Sequence, residues 1–368
     1  MKIAFALFKY FPYGGLQLDT VRLLAETARR GHQAVLFVGE ISGALPEIAG
    51  VRVVELPVSA ASNHGTALAF EKKFHKAVCA AGDFDATVAM NRIRGCDFYF
   101  AADNCLAVEY RKKHSPLVLN LLPRYRTFLR QERAVFGPES RTKILYLVES
   151  QKQEYQTCYG TDDKRFLPLP PGMNPDCVRK ENAPEIRKRK RTELGVKDDE
   201  ILLILVAAQF MVKGADRVIR TLKELPENCR LLLCGDEKAD SLYDLAKSLK
   251  INEKRIIHLG KHQNIPELLC AADLMVHPAR LEAAGSVLIE GIASGIPVIC
   301  SGICGFAPYV KESGGIVLKK EFDQEELTAG VKAALSDLSA MTEQVREYGK
   351  TVDFCKRASV AADYIESK

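Results

Sequence analysis

Short apolar runs alternate with amphipathic segments along almost the whole chain. In the first half the runs fall at 2–8, 33–38, 51–58, 86–90, 98–101 and 143–148, and helical spacing is clearest at 17–30 and 67–81. The runs are continuous rather than alternating and rich in β-branched and aliphatic residues. That pattern suits strands buried on both faces of a parallel sheet, with helices covering them. A second alternation follows, with strands predicted at 201–207, 230–234, 256–259, 274–277, 297–300 and 316–318. Its helices fit 215–224, 239–249, 265–271 and 286–294. Between the two halves residues 167–171 read LPLPP, followed by Gly172. Prolines that dense continue neither a helix nor a central strand, so a domain boundary is placed there. The reading is α/β, with two doubly wound, Rossmann-like domains at 1–170 and 171–350 and a last helix at 353–367. Tandem sheets of this kind leave a cleft between them, where ligands usually bind.

Composition narrows the class. A length of 368 residues favours two cores over one, and 47% hydrophobic residues with mixed charge describe a globular chain. Eleven cysteines raise the question of disulfides or zinc. There is no CxxC pair or Cys/His cluster, however, and Cys79, Cys234, Cys270 and Cys300 sit in apolar runs as buried thiols do. Reduced cysteines and a cytoplasmic setting are expected. The N-terminal MKIAFALFKYFPYGG reads as a first strand rather than a signal peptide. The most apolar later run, 201–208, is far short of the roughly 20 residues that span a bilayer. A soluble or peripheral protein is expected.

The net charge of +5 matters only if the cations cluster, and between 106 and 136 they do. That segment, LAVEYRKKHSPLVLNLLPRYRTFLRQERAVF, carries Arg111, Lys112, Lys113, Arg124, Arg126, Arg130 and Arg133 against Glu109 and Glu132. Leu117, Val118, Leu119, Leu121 and Leu122 are interleaved, with Tyr125 and Phe128 as amphipathic anchors. Interfacial binding to anionic lipid fits this mixture. A solvated basic helix, or one packed on its own domain, remains the alternative. Nucleic-acid binding has no accompanying motif. The second basic run, 187–191, reads as a solvated linker.

Candidate chemistry is densest in HPARLEAAGSVLIEGIASGIPVI, residues 277–299. Glu282 and Glu290 lie eight positions apart, with Gly285 between them at a strand-to-helix junction. A helix beginning near Gly285, with Ala284 and Ser286 beside it, aims unpaired N–H groups and its dipole at a phosphate. Glu290 could accept bonds from a ribose diol and Glu282 from sugar hydroxyls. The plainer reading is a solvated glutamate pair around an ordinary βα turn. Against it, Glu290 falls among Val287, Leu288, Ile289 and Ile292, where an unpaired carboxylate is costly. No DxD sits between a hydrophobic strand and a loop, and no GxGxxG follows the first strand, which argues against a metal-bridged diphosphate and a nicotinamide dehydrogenase; no GxSxG elbow or P-loop is present.

The Glu282/Glu290 spacing followed by SGIPVI resembles family 4 of the retaining two-domain glycosyltransferases, the GT-B type. KYFPYGGLQLDTVRLL at 9–24, NHG at 63–65, ADN at 102–104, LPPG at 169–172 and VKGADR at 212–217 are similar to its lipopolysaccharide-core glucosyltransferases, over nearly the whole chain. The resemblance implies a nucleotide-sugar donor, UDP-glucose, and a lipid-anchored oligosaccharide acceptor ending in inner-core heptose, on the cytoplasmic face of a membrane with anionic lipids. It implies no metal and no bound cofactor, with front-face displacement in which the leaving phosphate takes the acceptor proton. Gly14 and Gly15 match the loop under the donor diphosphate, and Lys213 the cation on its β-phosphate. Asp103 matches a position near the transferred sugar and acceptor, the plainer alternative being a buried or N-capping aspartate. Asp19 caps its helix or touches substrate; His64 reaches the acceptor or shapes its loop, and Asn104 is a candidate acceptor contact. The resemblance also implies that the last helix packs back on the first domain. Ala208 and Val212 depart from the pattern at positions usually cationic, so phosphate charge would rest on Lys213, helix N-termini and an arginine from elsewhere. Rival readings are another transferase, a nucleotide-sugar epimerase, and a membrane-docked binding protein with weak catalysis.

Overall fold

The computed structural model of the chain describes residues 1–12, 14–235, 237–260 and 264–368. Its contacts divide it into two compact units, Met1–Pro170 with Lys356–Lys368, and Pro171–Cys355. The first unit is built on seven parallel strands: β1 (Lys2–Tyr10), β2 (Gln33–Ile41), β3 (Val51–Glu55), β4 (Ala86–Ala89), β5 (Phe98–Ala101), β6 (Lys143–Tyr146) and β7 (Phe166–Pro168). They lie in the order β3-β2-β1-β4-β5-β6-β7. Ile3 through Leu7 and all of β5 are buried, as continuous apolar strands covered on both faces must be. Phe70 and Phe74 of helix Asn63–Ala80 meet Phe8 and Phe37 edge-on, with ring centroids 5.5 and 5.6 Å apart. Each of the fully buried rings, Phe37, Phe70 and Phe74, contributes roughly 1.5–3 kcal/mol.

The second unit has six parallel strands: β8 (Ile201–Val206), β9 (Cys229–Cys234), β10 (Ile256–His258), β11 (Leu274–His277), β12 (Val298–Ser301) and β13 (Ile316–Leu318), ordered β10-β9-β8-β11-β12-β13. Both sheets reverse direction of construction once, between β1 and β4 in the first and between β8 and β11 in the second. In open α/β sheets ligands bind at the carboxyl ends of the strands beside such a switch point.

Several local expectations need correction. The strand expected over 143–148 ends at Tyr146, because Val148 becomes the N-cap of helix Glu149–Tyr159. The LPLPP segment contributes a strand, Phe166–Pro168, at the sheet edge, where a proline's missing donor leaves no ladder bond unmade. The basic run at 187–191 is not a solvated linker. It lies in helix Ala183–Glu193, where Arg191 is buried and bonds the carbonyls of Lys197, Glu200 and Ala271. Two further helices, Gln324–Ser336 and Leu338–Thr351, bury Leu327, Val331, Ala334 and Met341 in the second core.

Candidate active site

At the β8/β11 switch of the second unit, three side chains converge. Lys213 ends the one-turn helix Phe210–Lys213. The next residue, Gly214, has φ +80°, and a Cβ there would lie 2.2 Å from the carbonyl oxygen of Pro278. Only glycine lets this turn approach the loop after β11 so closely. That approach lays Lys213 Nζ 2.9 Å from the Leu281 carbonyl and 2.9 Å from Glu282 Oε2. From beneath, buried His277 at the end of β11 places Nε2 2.9 Å from the same Glu282 oxygen. Burial pushes the Glu282 carboxyl up, but the bonds from His277 and Lys213 outweigh it and hold the group down to about 2. An ionised carboxylate only accepts, so His277 Nε2–H is the donor.

Arg280 ties the same loop to the lysine. It donates to Met211 O at 2.7 Å and grips Asp216 through two bonds of 2.7 and 2.8 Å, while its backbone N–H bonds Val212 O. His277 and Arg280 were not singled out in the sequence, although both lie in its richest segment. Ala208 is exposed, and Val212 contributes a carbonyl rather than a charge.

Helix Ser286–Ala293 begins beside this cluster. Gly285, at φ +89°, is its N-cap, and among the described residues no side chain caps that end. The first N–H groups of a helix have no intrahelical partner, and the dipole adds to their attraction for an anion. Ala284 is buried and fixed by the bond from Phe306 N to its carbonyl, 2.8 Å long. Ser286 and Glu290 are half-buried and one turn apart on the same stripe, while Leu288, Ile289 and Ile292 face the core. Glu290 therefore lies outside the apolar face among whose residues it falls in sequence. Among the described residues, no group of three or more His, Cys, Asp or Glu side chains could hold a metal ion.

In the first unit the candidates divide. Gly14 is the N-cap of helix Gly15–Arg29, and a Cβ on it would meet Gln17 Oε1 at 1.8 Å. Gly15 has open space around it. Asp19 is neither a cap nor exposed. It is buried in the second turn and ion-paired with Arg357 at 2.7 Å, which joins this helix to helix Arg357–Glu366. His64 does not sit in a loop. It occupies the first turn of helix Asn63–Ala80 with Nε2 3.3 Å from the capping Ser62 hydroxyl.

Asp103 and Asn104 follow β5. Asp103 is exposed, with its carboxylate 3.3 Å from Arg92, and its carbonyl accepts from Tyr155 at 3.0 Å. Arg92 also donates to Asn104 O at 2.7 Å and pairs with Glu132 at 3.1 Å. Glu132, completely buried, caps the start of helix Leu106–Lys113 by accepting from Leu106 N at 2.8 Å and Ala107 N at 3.0 Å. Sequence reading counted this glutamate only as an opposing charge in a basic run. Its partners, 25 to 40 residues away, leave no spacing signal.

The basic segment folds into helices Leu106–Lys113, Pro116–Leu121 and Pro123–Phe136. Arg111, Lys112, Lys113, Arg124, Arg126 and Arg130 are all exposed. Leu117 and Leu121 are 70% and 65% exposed, whereas Leu119 turns inward and Tyr125 packs on Tyr110 and His114. No helix among the described residues is long and apolar enough to cross a membrane.

Residues 186–352 match the family model of group 1 glycosyl transferases. The chain is 35% identical to the lipopolysaccharide glucosyltransferase WaaG of Escherichia coli K12, over 99% of its own length and 98% of that protein. It is similar throughout to the crystal structure of WaaG, a glycosyltransferase involved in lipopolysaccharide biosynthesis, with TM-score 0.92, 35% identity and complete coverage of both chains. Anabaena HepE, solved with UDP and glucose, shares the fold at TM-score 0.77 and 17% identity, again over the whole of both chains.

Proposed function

The chain belongs to the group 1 glycosyl transferases with the GT-B fold, and we propose that it transfers glucose from UDP-glucose to the inner-core heptose of lipopolysaccharide. The full-length likeness to the Escherichia coli enzyme carries this reading. In this reading the uncapped start of helix Ser286–Ala293 takes the donor diphosphate. Gly285 and Ala284 keep its approach clear, Ser286 lies beside it, and Glu290 accepts from the ribose. Lys213 has three N–H bonds, of which two go to Leu281 O and Glu282. The third meets the β-phosphate. Glu282 thus aims the lysine and cancels its charge until negative charge builds on the departing diphosphate.

The first unit supplies the acceptor side, with Asp103, Asn104 and His64 contacting the sugars and Gly15 exposing its backbone. The bond from glucose C1 to the diphosphate breaks as the acceptor hydroxyl attacks the same face. The hydroxyl proton leaves to the departing phosphate oxygen, with retention of configuration. The chain's contribution is then positioning and electrostatic stabilisation, without a resident metal or cofactor. The exposed cations and leucines of 106–136 hold the enzyme on anionic lipid at the cytoplasmic face, each cation contributing roughly 1 kcal/mol.

Incubation with UDP-glucose, with and without heptose-terminated lipopolysaccharide, tests the reading. UDP should be released only when acceptor is present. Conversion of the sugar without acceptor would identify an epimerase, and no turnover with any UDP-sugar a binding protein.

A further inference from the structure

A groove of about 1120 Å³ opens within the second unit at the edge opposite the site above, where the chain enters β11 and β12. Three arginines line it: Arg179, Arg187 and Arg346. Arg187 is fully engaged, donating to Ala271 O and Ala272 O at 2.9 Å each and to Asp273 at 2.5 Å. Arg179 and Arg346 differ. Among the described residues neither guanidinium has a hydrogen-bond or ion-pair partner, although both sit at one place.

That place is set by Gly295, in the SGIPVI turn, which the proposed transfer does not use. Its φ is +76°, and a Cβ there would stand 2.8 Å from Arg346 Cγ and 3.0 Å from Arg179 Cδ. The two arginine stems thus pass together over a bare glycine. Burial, and then the neighbouring Arg179 and Arg187, pull the Arg346 guanidinium below its ordinary range. Nearby carboxylates are engaged elsewhere: Asp273 by Arg187 and Arg191, and Glu347 by Lys350 at 2.5 Å. Glu181 and Glu343 line the rim without reaching either guanidinium.

Like charges gathered on a concave surface, with their fork donors unused, are complementary to a multiply charged oxyanion. We propose that this groove is a second anion site, which takes a phosphate monoester or diphosphate through Arg179 and Arg346, with Arg187 as a fixed third charge. The inference rests on this unit's own geometry and does not depend on the transfer reaction.

The test titrates the full chain with inorganic pyrophosphate by calorimetry, with Lys213→Ala as a parallel arm to remove the carboxyl-edge contribution. A binding step that Lys213→Ala retains, and that Arg179→Gln with Arg346→Gln weakens at least about tenfold, is expected, since bonds to charged groups are worth that much. Arg346→Gln alone, on an exposed helix face, serves if the double variant does not fold, and unfolding curves check each protein. A second arm sediments the proteins, each carrying Arg124→Gln, Arg126→Gln and Arg130→Gln to weaken the 106–136 contribution, with phosphatidylcholine vesicles containing phosphatidic acid, and compares groove variants with that common background. Loss of the pyrophosphate step in the arginine variants assigns a soluble phosphate. Loss of vesicle binding in them, without pyrophosphate binding in the wild type, assigns a lipid phosphate. Equal behaviour of wild type and variants in both arms overturns the site.

Discussion

At the carboxyl edge of the first sheet, Glu132 is completely buried and fastens Arg92 and two backbone N–H groups. Asp19 is likewise buried against Arg357. At the same edge of the second sheet, Glu282 is also held by a cation and a histidine, but its cation stands 22% exposed at a helix terminus. The two sheets share a topology, and their ion pairs serve different ends. The first unit's buried charges hold backbone segments in place, while the second unit's pair presents a lysine. Burial of a charge pair alone therefore does not mark chemistry. In the proposed reading, what marks it is an ion pair with one donor left over among the described residues, beside uncapped N–H groups.

Breaking the structural side of this comparison should have the largest effect. Glu132→Ala leaves Arg92 buried without its carboxylate and helix Leu106–Lys113 without its cap, and should destabilise the first unit by about 3–5 kcal/mol. Chemical unfolding measures it, and a loss under about 1 kcal/mol would mean that Arg92 finds water instead.

The second effect is on pH dependence. Glu282 is held at about 2 against an ordinary value of 4.5. Its folded value is depressed, so its stabilisation is complete above about 4.5 and is lost as pH falls towards about 2. The difference corresponds to about 3 kcal/mol. Glu282→Gln should flatten the stability profile between those pH values by that amount. An identical acid slope in wild type and variant would show that the carboxylate is not so held.

A smaller change is expected at the nucleotide. Glu290→Ala should weaken UDP binding by about 1–3 kcal/mol in calorimetry, and unchanged affinity in a folded variant would remove the ribose contact. The smallest contrast compares adjacent glycines. Gly15→Ala has room and should shift stability by no more than about 0.5 kcal/mol. Gly14→Ala must displace Gln17 and should cost more. Equal melting temperatures for the two would contradict the crowding at Gly14.

Much of the fold was legible because parallel strands covered on both faces leave continuous apolar runs, as 201–206 and 98–101 do. Phe166–Pro168 was hidden because a proline at an edge strand looks like a break. The run at 187–191 was misread for a different reason. Its partners, Ala271 and Asp273, lie more than 80 residues on, and charge composition carries no record of them. In the candidate site, the local geometry of Glu282, Gly285 and Ser286 was visible as spacing around one turn. The bond from Lys213 to the Leu281–Glu282 loop, 68 residues away, was not. Asp19 was read as a cap or a substrate contact because Arg357 is 338 residues distant. Short-range chemistry thus showed in the sequence, and the long-range charge pairs that aim or anchor it did not.

The central claim is that Lys213 acts on charge that develops as the diphosphate leaves. Steady-state kinetics of UDP release by Lys213→Ala, with lipopolysaccharide acceptor present, tests it most directly. The account predicts a fall in kcat of about 10²–10³, the range for losing one preorganised donor, with donor KM changed only a few-fold. A raised KM with kcat unchanged would contradict it and make Lys213 a ground-state binding residue.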